Sequence, residues 1–127
     1  MIDALFSQTN YAATKRMLDV TELRHDAIAS NMANLETPGY KRLDVSPTFT
    51  NDLKQAMASK DSDRISSVPI SITEDLTARA TGRDGNSVQL ETELVKMSQN
   101  TIEHSLETQL ITGSLLRLKL AISGRPS

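Results

Sequence analysis

Cysteine and tryptophan are absent from this chain, and aromatic residues fill only 3% of its 127 positions. Without cysteine there is neither a disulfide framework nor a thiolate metal site, so the redox compartment stays open, and both cytosol and periplasm fit. So few rings leave little to fill a globular interior, which favours an elongated helical protein. No apolar run approaches the roughly 18 residues of a membrane-crossing helix. The first residues, Met-Ile-Asp-Ala-Leu-Phe-Ser-Gln, have no basic region, long apolar core or small-residue cleavage site. Any export is therefore expected to proceed without cleavage, by a route that does not read a Sec-type signal.

An excess of positive charge is missing as well. The formal net charge is −2 and the lysines and arginines are scattered, so nucleic acid is not an expected partner. There is no glycine-rich phosphate loop and no serine or cysteine nucleophile in a recognisable motif, so no enzyme, cofactor or small-molecule substrate is expected. His25 and His104, with Asp26, Glu103 and Glu107 near them in sequence, are the residues to weigh for a metal. His104 and Glu107 make one i, i+3 pair, far short of a di-metal set, and both histidines read as tolerated within a helix interface. Met17, Met32, Met57 and Met97 read as core or interface filler. The cluster Lys60-Asp61-Ser62-Asp63-Arg64 reads as a solvated loop.

What the chain does contain is the palette of helix seams. Its apolar residues, 38% of the total, are mainly Leu, Ile, Met, Val and Ala, gathered toward the two ends. From about residue 9 to residue 34 two rows repeat every seven positions, Tyr11, Leu18, His25, Met32 and Thr14, Thr21, Ile28, Leu35. Met17, Val20, Leu23 and Ala27 flank them. A helix of this length spans on the order of 40 Å and needs a partner.

A second helix is predicted to begin at Asn86 as N-cap, with Gln89 at its third position and Glu91 and Glu93 near its positive end. Leu90, Met97, His104, Ile111 and Leu118 take one heptad position, and Leu94, Thr101, Thr108, Leu115 and Ile122 the other. Arg117 and Lys119 complement the negative end, and Gly124 with Pro126 supplies the stop. Gly113 costs about 1 kcal/mol against alanine, so a close backbone approach or a bend is expected there. Leu106, Leu110, Leu116 and Leu120 fall off the main seam. One partner helix cannot cover them, so self-association is implied.

Between the helices lies the stretch Asn-Met-Ala-Asn-Leu-Glu-Thr-Pro-Gly-Tyr-Lys-Arg, residues 31–42, where the first helical pattern stops. Pro38 pushes Thr37 out of the α region and Gly39 accepts positive φ, so Pro-Gly fits the centre of a type II turn and the helix should end near Asn34 or Leu35. Asn31 and Asn34 share a face of the last turn and are read as an amide clamp holding the turn to its helix. Tyr40 is the aromatic to expect in a contact. Leu43, Val45 and Phe49 suit a short extended segment, and Phe49, Leu53, Ala56 and Met57 two helical turns. Residues 58–85 read as a linker or adaptable loop, broken by one short strand at residues 68–72.

The expected architecture is therefore mostly α: long N- and C-terminal helices paired as an antiparallel, coiled-coil-like hairpin, with a loop-rich middle containing a short helix. Residues 1–41 hold the first helix and turn, 42–85 the short helix and flexible loop, and 86–127 the last helix, one helical domain formed by the two ends. Leu18, Ile28, Met32, Leu90, Leu94, Met97, Ile111, Leu115 and Leu118 are the expected interface.

The pattern Asn31, Ala33, Asn34, Thr37, Pro38, Gly39, Tyr40 resembles the signature of bacterial flagellar rod and hook proteins, which reads Asn-x-Ala-Asn-x-x-Thr-Pro-Gly-Tyr. The short chain, Leu23-Arg24 and the Asp84-Gly85-Asn86-Ser87-Val88 lead into the last helix most resemble a proximal rod subunit. His104 departs from the Tyr such proteins often carry. The resemblance implies a structural subunit, exported unfolded through the flagellar type III apparatus and polymerised into the periplasm-spanning rod of the basal body. Its implied partners are other rod proteins, the membrane–supramembrane ring and its adaptor protein, the export apparatus, and further copies of itself. A second proximal rod protein, or a cytoplasmic helical adaptor or export chaperone, are the alternatives.

Overall fold

The computed structural model describes residues 2–80 and 82–124, without the side chains of residues 2–7 and of Leu118. In chain order it runs α1 (Ile2–Ala33), β1 (Leu43–Val45), α2 (Thr48–Ala58), α3 (Ser62–Ser66), β2 (Ile72–Glu74) and α4 (Leu90–Ser123). The fold is mostly helical, and the long first and last helices touch each other, as expected. Their contacts descend along α1 as they ascend along α4. Asn31 meets Glu93, Arg24 meets Glu103, and Thr21 meets Glu107, so the helices run in opposite directions. At 1.5 Å per residue each spans roughly 50 Å. Among the described residues no helix is long and apolar enough to cross a membrane.

The apolar core is not where the heptads placed it. Ala12, Ala13 and Val20 of α1 pack against Val45 of β1, Phe49, Leu53 and Ala56 of α2, Ile65 of α3 and Val68. Small side chains at positions 12 and 13 let the middle segment lie close on α1, and the Arg16 guanidinium ties it down through the Val68 carbonyl. Phe49, Leu53 and Ala56 recur at the spacing of one helix face, which is why α2 buries that face. Full burial of a side chain such as Ile65 contributes about 1.5–3 kcal/mol.

Residues 58–85, read from sequence as a linker, thus carry α3 and β2 and complete the core. The strand lies later than expected, at Ile72–Glu74, where it pairs antiparallel with β1, Val45 opposite Ile72 and Leu43 opposite Glu74. Of the charge cluster at 60–64, Lys60 and Asp61 form the expected exposed turn, whereas Ser62, Asp63 and Arg64 belong to α3. Lys60, at φ 56°, ends α2, and the Asp61 carboxylate accepts from the N–H groups of Asp63 and Arg64 to start α3.

The leucine rows of α4 are the larger correction. Leu90, Leu94 and Leu115, expected in the interface, are all exposed. Met97 and Ile111 are half-buried, and Leu118 lies outside the described side chains. On α1, Ile28 is buried while Leu18 and Met32 are half-buried. The face that α4 turns to α1 is instead a polar heptad row: Glu93, Asn100 and Glu107 are all buried. A buried carboxylate or amide is tolerated when it is hydrogen-bonded. Each here reaches a group on or beside α1: Asn31 and Arg42 for Glu93, the Thr21 carbonyl for Asn100, and the Thr21 hydroxyl for Glu107. These bonds hold the row on α1 and turn the leucines outward, although the buried Asn100 Oδ1 has no hydrogen-bond partner among the described residues.

At the far end Gly124 caps α4 in the left-handed conformation, as the glycine stop predicts, while the proline expected to follow lies outside the described residues. A Cβ added to Gly113 would meet nothing within 4 Å among the described residues beyond its own helix backbone, so they offer no close approach that accounts for that glycine.

Candidate functional site

Where the end of α1, the Pro-Gly turn and the lead into α4 meet, the chain builds a dense polar junction. Helix α1 stops at Ala33, a residue short of the expected end. Tyr40 N–H donates to the Thr37 carbonyl at 3.2 Å, and Gly39 adopts φ 74°, the geometry of the expected type II turn.

Asn31 is completely buried and works as a substitute strand. Its Nδ2 donates to the Leu43 carbonyl at 2.8 Å, and its Oδ1 accepts from the Leu43 N–H at 2.9 Å. The same amide also reaches Glu93 Oε2 at 3.3 Å and accepts from the Tyr40 hydroxyl at 3.2 Å. Asn34 holds the turn locally: its Nδ2 donates to the Ser30 carbonyl and its Oδ1 accepts from the Thr37 hydroxyl. Tyr40 packs back onto its own helix, with its hydroxyl 3.0 Å from Ser30 Oγ. The amide clamp is therefore present in geometry. Of the other signature residues, Gly39 N–H donates to the Asp84 carbonyl at 2.7 Å, whereas Ala33 and Pro38 are exposed.

Asn86 has a different role from the one read in the sequence. Gln89, not Asn86, is the N-cap of α4, and it makes no side-chain capping bond. The buried Asn86 amide points the other way and donates to the carbonyls of Asn34, Leu35 and Thr37 at 2.8–3.1 Å. These carbonyls lie just past the C-terminal end of α1, and those of Asn34 and Thr37 also accept from the N–H groups of Thr37 and Tyr40. Asn86 thus caps one long helix from the threshold of the other, while its Oδ1 accepts from Val88 N–H. Lys41 Nζ donates to the Gly85 carbonyl, Ser87 N–H to the Tyr40 carbonyl, and Arg42 N–H to Ser87 Oγ.

Arg42 closes the junction. Its guanidinium, 2% exposed, bonds Glu93, itself fully buried, and meets Asp44 and Asp75 at 3.0 and 2.9 Å. Burial works against its charge, but hydrogen bonds and attraction from Glu93 and Asp44 outweigh that and raise its pKa above the ordinary arginine value. For Asp75 burial again opposes ionisation. The Thr77 hydroxyl and N–H, together with Arg42, prevail and lower its pKa. One arginine therefore joins β1, the segment after β2, and the first turn of α4.

Farther along the helix pair, Asn100 Nδ2 donates to the Thr21 carbonyl, and the Thr21 hydroxyl donates to Glu107 at 3.0 Å and lies 3.3 Å from His104 Nδ1. Burial raises the Glu107 pKa, helped by the charge of Glu103 and opposed by Thr21, His104 and Arg24. His104, half-buried beside Thr21, occupies the helix interface expected of it; His25 is exposed at the rim of the same cleft. Among the described residues no group of three or more His, Cys, Asp or Glu is placed to hold a metal ion.

Arg42, Glu93 and Asn86 were the residues that apolar periodicity missed. A signal existed, because Glu93, Asn100 and Glu107 repeat every seven residues, as the leucines do.

No family profile matches the chain. It is 22% identical to the flagellar basal body rod protein FlgB of Escherichia coli (strain K12) over 131 aligned positions, which cover 91% of this chain and 92% of the relative. To FlgB of Borrelia hermsii it is 29% identical, covering 75% of this chain and 82% of the relative. FlgB of Aquifex aeolicus (strain VF5) is 28% identical, with coverage of 87% and 90%. Taken with the signature turn and the two long terminal helices, this similarity over most of the chain relates the protein to the FlgB family of flagellar basal body rod proteins.

Proposed function

We propose that the chain is a structural subunit of the bacterial flagellar basal body rod, in its proximal part, and acts there as one block of the shaft that transmits torque. The observation that carries this reading is the division of labour on α4. Its polar row is locked to α1 and the signature turn, while its apolar rows, Leu90, Leu94, Ile102, Leu106, Leu110, Leu115 and Leu116, stay exposed. Monomers rarely leave so many large apolar side chains uncovered along one helix unless they pack on a neighbour. A torque-bearing tube needs dense helix packing between subunits and a rigid internal register, not a reactive site.

Under this reading residues 1–41 and 86–127 supply the helices that pack on neighbours in a coiled-coil-like manner, and residues 42–85 brace them. The signature residues act in assembly by setting the register between the two helices. The chain reaches the periplasm-spanning rod through the flagellar type III apparatus. There it meets other rod proteins, further copies of itself, and the membrane–supramembrane ring with its adaptor.

The test is complementation of a deletion strain. Wild-type protein should restore swimming and copurify with basal bodies, whereas Asn34→Ala and Gly39→Val should restore neither. A deletion strain that still swims would sink the proposal. The exposed rows would equally serve a cytoplasmic helical adaptor or export chaperone, which fractionation would find in the cytosol and not in basal bodies. A second proximal rod protein is the alternative within the rod.

A further inference from the structure

Gly113 sits in the middle of α4, where glycine costs about 1 kcal/mol relative to alanine, and, its own helix backbone aside, nothing among the described residues lies within 4 Å of the Cβ it lacks. The reason for it lies in what surrounds it. The row facing α1 passes through Asn100, and Ile102, two residues on, is turned by about 200° and is 69% exposed. From Ile102 the positions Leu106, Gln109, Gly113, Leu116 and Leu120 follow at alternating steps of four and three, the spacing of a heptad seam. Ile102, Leu106 and Leu116 are each more than half exposed. The helix thus carries a second seam on the side away from α1, with the glycine inside it.

We propose that this stripe is the seam of an antiparallel homodimer, formed with α4 of a second copy about a two-fold axis near Ile111. Laid against itself in reverse, the stripe matches layer by layer: Ile102 faces the partner's Leu120, Leu106 the partner's Leu116, and Gln109 the partner's Gly113. The polar member of the seam thereby lies over the position without a side chain, so its amide has room and neither a void nor a clash forms. Glu103, which also meets Arg24 within the chain at 3.4 Å, and Arg117, each one residue past a seam position and two heptads apart, share a flank. The antiparallel arrangement sets each beside its opposite on the partner.

A parallel pair would stack glycine on glycine, leaving a gap in one layer, and would separate Glu103 from Arg117. Charge along the helix points the same way. Before residue 108, α4 carries Glu91, Glu93, Glu103 and Glu107 against Lys96; beyond it are Arg117 and Lys119 and no carboxylate. Opposed gradients favour antiparallel association of identical helices. The dimer is a state of the free chain, so its failure would leave the rod reading, tested by motility and basal-body content, standing.

The absence of native cysteine makes the test direct. Ile102→Cys and Leu120→Cys are prepared separately, mixed, and oxidised mildly. The mixed disulfide should predominate over either homodisulfide. Predominant homodisulfides at position 102 would indicate parallel packing and overturn the proposal. In sedimentation the wild-type chain should be a dimer at about 0.1 mM, and Leu106→Glu should raise its Kd about 100-fold with the circular dichroism spectrum unchanged. A wild-type chain that stays monomeric, or a dimer indifferent to Leu106→Glu, would equally refute it.

Discussion

Asn31 and Leu43 are joined as two strands would be: one side-chain amide donates to the Leu43 carbonyl at 2.8 Å and accepts from its N–H at 2.9 Å. The side chain of a helix thereby anchors the first residue of β1, and through it the two-stranded sheet, to the end of α1. Replacing it with alanine leaves a backbone donor and acceptor unpaired in a buried place, each costing about 1–3 kcal/mol. Asn31→Ala should therefore destabilise the chain by roughly 3 kcal/mol in urea unfolding. Asn31→Asp should be no better, since a carboxylate cannot donate to Leu43 and would repel Glu93.

The Arg42–Glu93 pair makes a different prediction, because both charges are withdrawn from water. Truncating either alone strands the other, so Glu93→Ala should cost about 3–5 kcal/mol. In the double variant Arg42→Met, Glu93→Leu, part of that loss should return, and a double-mutant cycle should give a coupling of more than about 1 kcal/mol. Full additivity would mean that Asp44 and Asp75, not Glu93, are the partners that matter to Arg42.

Asn86 and Gly39 test how the turn is held. Asn86→Ala removes the side-chain donor from the carbonyls of Asn34, Leu35 and Thr37, of which Asn34 and Thr37 keep a backbone bond. The expected loss is about 1–2 kcal/mol, with faster amide exchange confined to the end of α1 and the turn. At Gly39 the space is open, and the difficulty is the φ of 74°. Gly39→Asn, which tolerates the left-handed region, should therefore cost less than Gly39→Val, whose branched Cβ does not.

Glu107 and Asp75 should move stability with pH in opposite directions. Burial raises the Glu107 pKa in the fold. Its favourable contribution is therefore complete below the unfolded pKa and is lost as pH rises through the folded one. Glu107→Gln should be more stable than wild type at neutral pH, and the difference should vanish in acid, below about pH 4. The Asp75 pKa is lowered in the fold, so its contribution is present above the unfolded pKa and disappears as pH falls through the folded one. Asp75→Asn should then lose stability at neutral pH and converge with wild type in acid. Urea midpoints measured from acid to neutral pH would check both signs.

The two long helices, the turn and the signature could be read directly from the residues because their causes are local. Heptad spacing builds the helices, and Pro38 and Gly39 restrict φ at the turn whatever surrounds them. The core partners of α1 could not be read that way. Ala12 and Ala13 carry no amphipathic signal of their own, and their value appears only when Phe49, Ile65 and Val68 arrive from residues distant in sequence. The same holds for residues 58–85, whose polar composition concealed two short elements and the buried Ile65 and Val68.

By itself, then, the sequence determined that the two ends form long helices, where the first helix must stop, and that α4 has more apolar surface than one partner can cover. Which face of α4 turns inward was decided only by the tertiary structure. A leucine gains from any apolar contact, whereas Glu93, Asn100 and Glu107 can be buried only where Arg42, Asn31 and Thr21 stand ready with hydrogen-bonding groups. Thr21 and Asn31 on α1 and Arg42 after the turn make these directional bonds. They set the orientation of the helix, and the leucines were left to face outward.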